Sequence, residues 1–325
     1  MTSLTQKIRQ FAQEIGFDLV GFTPADSLPD DEQALQGWLL AGYAGEMAYM
    51  ARDPARRANP KQILPEAKTV ICLALNYYPG DYPEIKVESE PPHINGRLSR
   101  YAWGKDYHLI LEQKLDRLAE YLQQEAGHPV KIKRYVDYGP ILERAYASRA
   151  GLGFIGKNTL LITHEFGSWV FLAELITDLD LAQDLTDTIE NRPSSQCGSC
   201  TLCIDACPTG ALIGPFTLDA RKCISYLTIE YKGDISTNLQ TQMGDWVFGC
   251  DICQEVCPYN QQTPIAKDPE SAQGAGPRLN LEEMLSMNEE TFKTHYQDTP
   301  LLRPKHKGLQ RNARIVANNL TMTKS

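Results

Sequence analysis

Nine cysteines occur in this chain of 325 residues, and eight of them fall between positions 197 and 257. The first group reads Cys197-Gly-Ser-Cys200-Thr-Leu-Cys203-Ile-Asp-Ala-Cys207-Pro208. That is the C-x2-C-x2-C-x3-C-P spacing of bacterial proteins with paired 4Fe–4S clusters, in which the fourth cysteine binds the other cluster. Reach explains the spacing. Three closely spaced thiolates wrap one cubane, and the fourth, redirected by proline, leaves toward the next. The second group, Cys250-Asp-Ile-Cys253-Gln-Glu-Val-Cys257-Pro258, is the same pattern without its first cysteine. If Cys257 crosses over, one cluster takes Cys197, Cys200, Cys203 and Cys257. The other takes Cys250, Cys253 and the crossing Cys207, and Cys223 is the nearby thiol that completes its set. Two structural zinc sites are the competing reading, because C-x2-C pairs also bind zinc. They do not account for the doubled, crossing motif. Cys72 lies in an apolar run and reads as a small buried hydrophobe.

A second stretch could carry acid–base chemistry. Asp137 ends a predicted strand over 131–137, and Pro140 opens a predicted helix at a position that tolerates proline. A carboxylate there is either the cap of that helix or an acid at the mouth of a sheet, where ligands bind. On spacing alone the cap comes first. Gly151-Leu-Gly153-Phe-Ile-Gly156-Lys157-Asn158 looks similar to a nucleotide loop but follows a helix pattern, so it reads as a helix C-cap and turn.

The elements that must position these groups alternate along the first part of the chain. Helices are predicted over 3–16, 31–42, 107–126 and 140–150, and strands over 69–75, 131–137 and 169–177. The alternation predicts an α/β layer with strands covered by helices. Residues 83–97 read as a Pro-rich charged loop, 191–196 as a hinge and 266–278 as a flexible connection to short helices ending near 320. The net charge of −9 argues against indiscriminate coating of nucleic acid. It leaves room for a local basic surface, since charge acts over about 8 Å at cellular ionic strength. No apolar run approaches the roughly 20 residues needed to span a membrane. The N-terminal stretch is an amphipathic helix with Leu4, Ile8, Phe11 and Ile15 on one face, not a secretory leader. A cytoplasmic, reducing location and no membrane partner are therefore expected, and clustered cysteines there point to metal or redox chemistry.

As a whole the chain resembles the epoxyqueuosine reductase family, from the N-terminal helix to about residue 318. The resemblance is carried by Ser99-Arg-Tyr-Ala-Trp-Gly104-Lys-Asp106-Tyr-His108, the stretch from Val136 to Asn158, Glu165-Phe-Gly-Ser-Trp169, both cysteine groups, and Lys222-Cys223-Ile-Ser225-Tyr-Leu-Thr228. It implies a fold of mixed α+β and α/β character in three units. These are an N-terminal cobalamin-binding α/β catalytic domain (1–190), a bacterial-ferredoxin-like two-cluster domain (191–265) and a short helical basic C-terminal tail (266–325). The resemblance implies cobalamin and two 4Fe–4S clusters as cofactors, with no histidine on the lower face of the cobalamin. It places Arg57, Ser99, Asp137, Asn158, Leu161, Leu172 and Ser225 in the cobalamin pocket and makes Asp137 the proton donor. Ser99 stands where some relatives carry cysteine. The implied reaction reduces epoxyqueuosine to queuosine at the wobble position of tRNA, the last step of queuosine biosynthesis. Electrons pass through the clusters to cobalt, which attacks the epoxide, while Asp137 protonates the leaving oxygen. The implied partners are tRNA carrying epoxyqueuosine and an external one-electron donor of ferredoxin or flavodoxin type, and the chain is expected to be a monomer.

Residues 299–325 contain Arg303, Lys305, Lys307, Arg311, Arg314 and Lys324 but no acidic residue, so this stretch is expected to contact RNA phosphates. Lys131, Lys133, Arg134, Arg144 and Arg149 form a second basic group. Two other readings stay open. A reductive dehalogenase-like cobalamin and iron–sulfur reductase would normally carry an export signal. A ferredoxin-type electron carrier would not need about 190 residues ahead of its clusters.

Overall fold

Ser3 starts the first helix, α1 (Leu4–Glu14), with a reciprocal cap: its side chain accepts from the Gln6 N–H while the Gln6 side chain reaches back. The computed structural model describes residues 3–83, 94–181, 195–268 and 274–322. β1 (Leu19–Pro24), α2 (Pro29–Leu40), the single turn α3 (Pro54–Arg57) and β2 (Thr69–Asn76) follow. Next come β3 (Asn95–Leu98), α4 (Tyr107–Ala126) and β4 (Ile132–Tyr135). Asp106 caps α4 at its start, and Gly127 ends it in the left-handed conformation at φ 68°. α5 (Glu143–Arg149), β5 (Phe154–Ile155), β6 (Leu161–Ile162) and β7 (Val170–Thr177) complete the first half.

One four-stranded sheet, in the order β1-β2-β7-β4, organises this half, and each neighbouring pair is antiparallel. Every residue of β2 is buried, as befits an inner strand covered on both faces. Side chains alternate between two cores. Ile71, Leu73, Ala173 and Leu175 face α1 and α4, while Val70, Cys72, Ala74, Leu172 and Ile176 face the side of α5. Burial of each large apolar side chain contributes roughly 1.5–3 kcal/mol. The predicted helix–strand alternation is thus realised around an antiparallel sheet.

The cysteine-rich half contains α6 (Leu202–Asp205), β8 (Leu212–Gly214), β9 (Thr217–Leu218), α7 (Ile224–Ile229), α8 (Thr237–Gln242), β10 (Trp246–Phe248) and α9 (Ile252–Glu255). β11 (Arg278–Asn280), α10 (Leu281–Ser286), α11 (Glu289–His295) and α12 (Lys305–Met322) end the described chain. β3 lies between β10, which is parallel to it, and β11, which is antiparallel. Leu98, Trp103, Phe248, Leu281, Leu309 and Val316 share one core, so the C-terminal helices pack on a strand that precedes α4. No helix among the described residues is long and apolar enough to cross a membrane.

Two differences from the sequence expectations have clear causes. β1 was not expected, because Gly21 interrupts its apolar run. A Cβ on Gly21 would lie 2.4 Å from the Ala150 carbonyl oxygen and 2.2 Å from Leu152, so glycine lets the end of α5 approach the sheet. The helix expected over 140–150 begins only at Glu143, leaving Pro140 in the preceding loop. Parts of the expected loop at 83–97, the hinge at 191–196 and the connection at 266–278 lie outside the described residues, as does Lys324.

Candidate active site

The fold gathers the cysteines as two sets, and all nine are free thiols. Cys197, Cys200, Cys203 and Cys257 line one cavity of about 220 Å³, with Leu202 and Tyr259 beside them. The Lys157 N–H points at Cys197 Sγ from 3.5 Å, and the Lys157 ammonium donates to the Gly198 and Cys200 carbonyls at 2.6 and 2.9 Å. One lysine therefore holds the loop that carries two of the thiols. The second set comes from three separate segments, at Cys207, at Cys223 and at Cys250–Cys253. Burial raises the thiols of Cys223, Cys250 and Cys253. Cys223 also feels Cys207, Cys250 feels Cys253 and Cys223, and Cys253 feels Cys223 and Cys207. Cys253 feels Cys203 of the first set as well, so the two sets are neighbours. The Ala211 N–H donates to Cys207 Sγ at 3.3 Å, the kind of contact that tunes a cluster's potential. Cys72 is fully buried in β2, with its thiol pushed well up by burial.

A buried ionic brace, missed in the sequence, supports the second set. Arg100 is 5% exposed and lies 3.3 Å from the fully buried Asp251 and 2.7 Å from Glu255. Arg97 also pairs with Glu255 at 2.7 Å. Breaking such a buried network costs about 3–5 kcal/mol, because it strands a charge. The available signal was position: Asp251 and Glu255 sit inside the second cysteine motif, and Arg100 inside the stretch from Ser99 to His108.

Asp137 lies beyond β4 in a loop, at φ 57°, a conformation that costs a non-glycine residue energy. It does not cap α5; Leu142 occupies that position without a side-chain cap bond. The helix-cap reading is therefore set aside. The sheet is antiparallel, so the rule placing ligands at the carboxyl ends of parallel strands does not apply, and loops and α4 build the site instead. Tyr107 at the start of α4 donates its hydroxyl to the Asp137 carboxylate at 2.8 Å. Burial, then the Asp137 charge, pushes the Tyr107 phenol far up, so it stays a donor. His108 Nε2 lies 3.9 Å from Asp137. Burial opposes charging of His108, but its contact with Asp106 outweighs burial and the net shift is upward. The Asp137 side chain is 65% exposed, so protein atoms do not supply the burial that its proposed role calls for.

Of the other positions that the resemblance links to cobalamin, Arg57 touches the Asp137 loop, and Asn158 and Ser99 touch the second cysteine motif. Arg57 donates to Tyr49 O at 2.8 Å and to Gly139 O at 3.3 Å, which ties α3 to the Asp137 loop. Asn158 is buried and its amide reaches the Cys253 carbonyl at 3.5 Å. Ser225 is half-buried, two positions after Cys223. Leu161 and Leu172 pack in the core that faces α5. Ser99 is buried: its hydroxyl donates to Asp251 at 2.5 Å, its N–H donates to the Phe248 carbonyl at 2.8 Å and its carbonyl accepts from the Ala102 N–H at 2.9 Å.

The basic residues divide by function. Arg311 donates to the carbonyls of Leu227, Tyr231 and Gly233 at 2.7–2.9 Å, so it is a structural clamp and not a phosphate contact. Arg303 pairs with Glu230 at 3.0 Å within the field of Asp137, on the border of the site. Lys305, Lys307 and Arg314 are exposed. In the second basic group, Lys131 pairs with Glu66 and Arg134 with Asp116. Arg144 and Arg149 donate to backbone carbonyls, and Lys133 is exposed.

Residues 57–138 match the family model described as epoxyqueuosine reductase QueG, DUF1730, and residues 196–260 match the 4Fe-4S double cluster binding domain. The chain is 41% identical to the epoxyqueuosine reductase of Pseudomonas aeruginosa over 321 residues, covering 98% of this chain and 86% of that relative. An epoxyqueuosine reductase solved with an epoxyqueuosine-modified tRNA-Tyr stem loop is 35% identical with a TM-score of 0.88, covering 97% of this chain and 81% of that one. The Bacillus subtilis epoxyqueuosine reductase, solved with its catalytic loop swung out of the active site, is 34% identical with a TM-score of 0.87, covering 99% and 82%. With this agreement over nearly its whole length, the chain belongs to the epoxyqueuosine reductase family of oxidoreductases.

Proposed function

We propose that this chain reduces epoxyqueuosine to queuosine at the wobble position of tRNA, with Asp137 as the proton donor. The observation that carries the reading is the placement of Asp137. It sits at φ 57° with its carboxylate on the Tyr107 hydroxyl, while Arg57 bonds Gly139 of the same loop and Asn158 reaches the Cys253 carbonyl. The two thiol sets suit two 4Fe–4S clusters. Arg57, Ser99, Asp137, Asn158, Leu161, Leu172 and Ser225 would hold cobalamin. When bound, cobalamin supplies a nucleophile able to open an epoxide, and the clusters supply single electrons. An external donor of ferredoxin or flavodoxin type feeds those electrons to a monomeric, cytoplasmic protein. We assign catalysis to residues 1–190, electron transfer to 191–265, and the helical stretch to 266–325.

The chain's own residues then have defined tasks. A free alkoxide is costly away from water, so the epoxide oxygen must receive a proton as its carbon–oxygen bond breaks. Asp137 gives that proton, and the Tyr107 O–H stabilises the carboxylate left behind. Substrate and cofactor must cover the exposed Asp137 side chain to exclude water. Arg57 holds the loop from the far side through Gly139. Exposed Lys305, Lys307 and Arg314 offer positive charge to the RNA backbone.

Cells that lack this gene test the reading. Their tRNA should accumulate epoxyqueuosine, and the intact gene should restore queuosine. Normal queuosine content in the deleted strain contradicts it.

A further inference from the structure

Behind the Asp137 loop lies a second pair of carboxyl groups. Glu174 is fully buried in the middle of β7, opposite Cys72 of β2 and Tyr135 of β4. Neither of its oxygens receives a hydrogen bond from an N–H or hydroxyl donor among the described residues, and the one group of that kind in reach is the Glu143 carboxyl. It shares its face of β7 with Leu172 and Ile176, the face that packs toward α5. There α5 packs on β7, and its first residue, Glu143, lies against Glu174 with each carboxyl in the field of the other. Glu143 in turn accepts the backbone N–H of Asp137 at 2.5 Å. The acceptor that holds the catalytic loop is therefore itself backed by an otherwise unpartnered buried acid.

A buried carboxylate without a cation is far more costly than a buried neutral acid. Arg144 and Arg57 act on Glu143 through their fields, but among the described residues no cation is paired with either carboxyl. Arg144 donates its guanidinium to the Thr159 carbonyl. Arg57 is occupied by Tyr49 and Gly139, and Arg149 by Thr23, Pro24 and Asp26. The Cys72 thiol and the phenols of Tyr135 and Tyr107 are pushed up and neutral. Asp137 adds negative charge.

We propose that Glu143 and Glu174 form a one-proton carboxyl dyad that positions Asp137. Glu174 stays protonated and presents its O–H to Glu143, and the ionised Glu143 anchors the Asp137 N–H and with it the left-handed turn. A second proton on Glu143 weakens the anchor, so one protonation event controls the placement of the acid. Burial first, and then the Asp137 charge, pushes Glu143 up to about 7, while burial and Glu143 hold Glu174 well above the carboxylate range. Both directions agree with the geometry. The inference rests on Asp137 being the proton donor.

The test uses the holoenzyme with both clusters and cobalamin loaded, and it has an arm that needs no turnover. Difference infrared spectra should show a protonated buried carboxyl at neutral pH that is lost in Glu174→Gln. A second protonated carboxyl should appear as pH falls through about 7 and be absent in Glu143→Gln. With an epoxyqueuosine stem loop as substrate, kcat should fall across that same window in the native protein. Glu143→Gln should remove this limb, while KM for the RNA changes by less than about threefold. A neutral-pH carboxyl band that survives in Glu174→Gln overturns the dyad, as does an acid limb that survives in Glu143→Gln. Full activity of Asp137→Asn would instead overturn the donor assignment and leave the infrared result standing.

Discussion

The Tyr107 hydroxyl donates to the Asp137 carboxylate at 2.8 Å, reaching from the first turn of α4 to a loop residue at φ 57°. Tyr107 also stacks on Phe171 with ring centroids 4.4 Å apart, so its ring has a packing role that phenylalanine preserves. Tyr107→Phe isolates the hydroxyl. A hydrogen bond to a charged group contributes about 1.5–3 kcal/mol, so kcat should drop by roughly 10–100-fold. Single-turnover kinetics at matched cofactor loading checks this, and an unchanged rate removes Tyr107 from the mechanism.

The cysteine sets make a separable prediction. Cys223→Ala should cost one cluster and leave the other, because Cys223 is grouped with Cys207, Cys250 and Cys253. Cys72→Ala should leave both, since Cys72 is buried in β2 away from the thiol sets. Iron and sulfide analysis with electron paramagnetic resonance of the reduced protein reads both outcomes. Loss of a cluster in Cys72→Ala contradicts the assignment.

Arg311 and Arg314 lie one turn of α12 apart and should behave differently. Arg311→Ala removes the donor to three backbone carbonyls and should destabilise the fold by about 2–4 kcal/mol. Arg314→Glu changes an exposed residue. It should leave the melting temperature unchanged, weaken RNA binding and flatten its salt dependence. Thermal unfolding and a salt titration of RNA affinity check the pair. Equal effects of both changes on stability would contradict this division.

Stability should also depend on pH through Glu143, whose ionisation is raised from 4.5 to about 7. Between those values the folded chain keeps a proton that the unfolded chain has lost. The stability present at low pH is therefore lost as pH rises through about 7. Glu143→Gln cannot ionise and should flatten this window. Melting temperatures compared at about pH 5 and about pH 8 measure it. Parallel curves for native and variant protein would contradict the assignment.

What the sequence made legible follows from the range of the interactions. The double-cluster domain was readable because cluster ligation imposes a local spacing, and Cys257 lines one cavity with Cys197, Cys200 and Cys203. The span of α4 was readable from its caps and apolar face, and it runs from Tyr107 to Ala126 as expected. β1 was not, because the reason for Gly21 lies in Ala150 and Leu152, far along the chain. Asp137 could not be separated from a helix cap, because the start of α5 at Glu143 is set by packing after Pro140. Arg311 read as RNA-facing by charge alone. Its acceptors lie near residue 230 and are visible only after α12 has packed. Glu143 and Glu174 carry no local signature at all, since only the packing of α5 on β7 brings them together.

The central claim is that this chain reduces epoxyqueuosine with Asp137 as acid. Anaerobic protein loaded with both clusters and cobalamin, chemically reduced and mixed with an epoxyqueuosine stem loop, tests it most directly when the nucleosides are analysed by mass. The native chain should form queuosine. Asp137→Asn, with normal cofactor loading and RNA binding, should be slower by roughly 10²–10⁴-fold. No queuosine from the native chain, or a rate for Asp137→Asn close to native, would contradict the account.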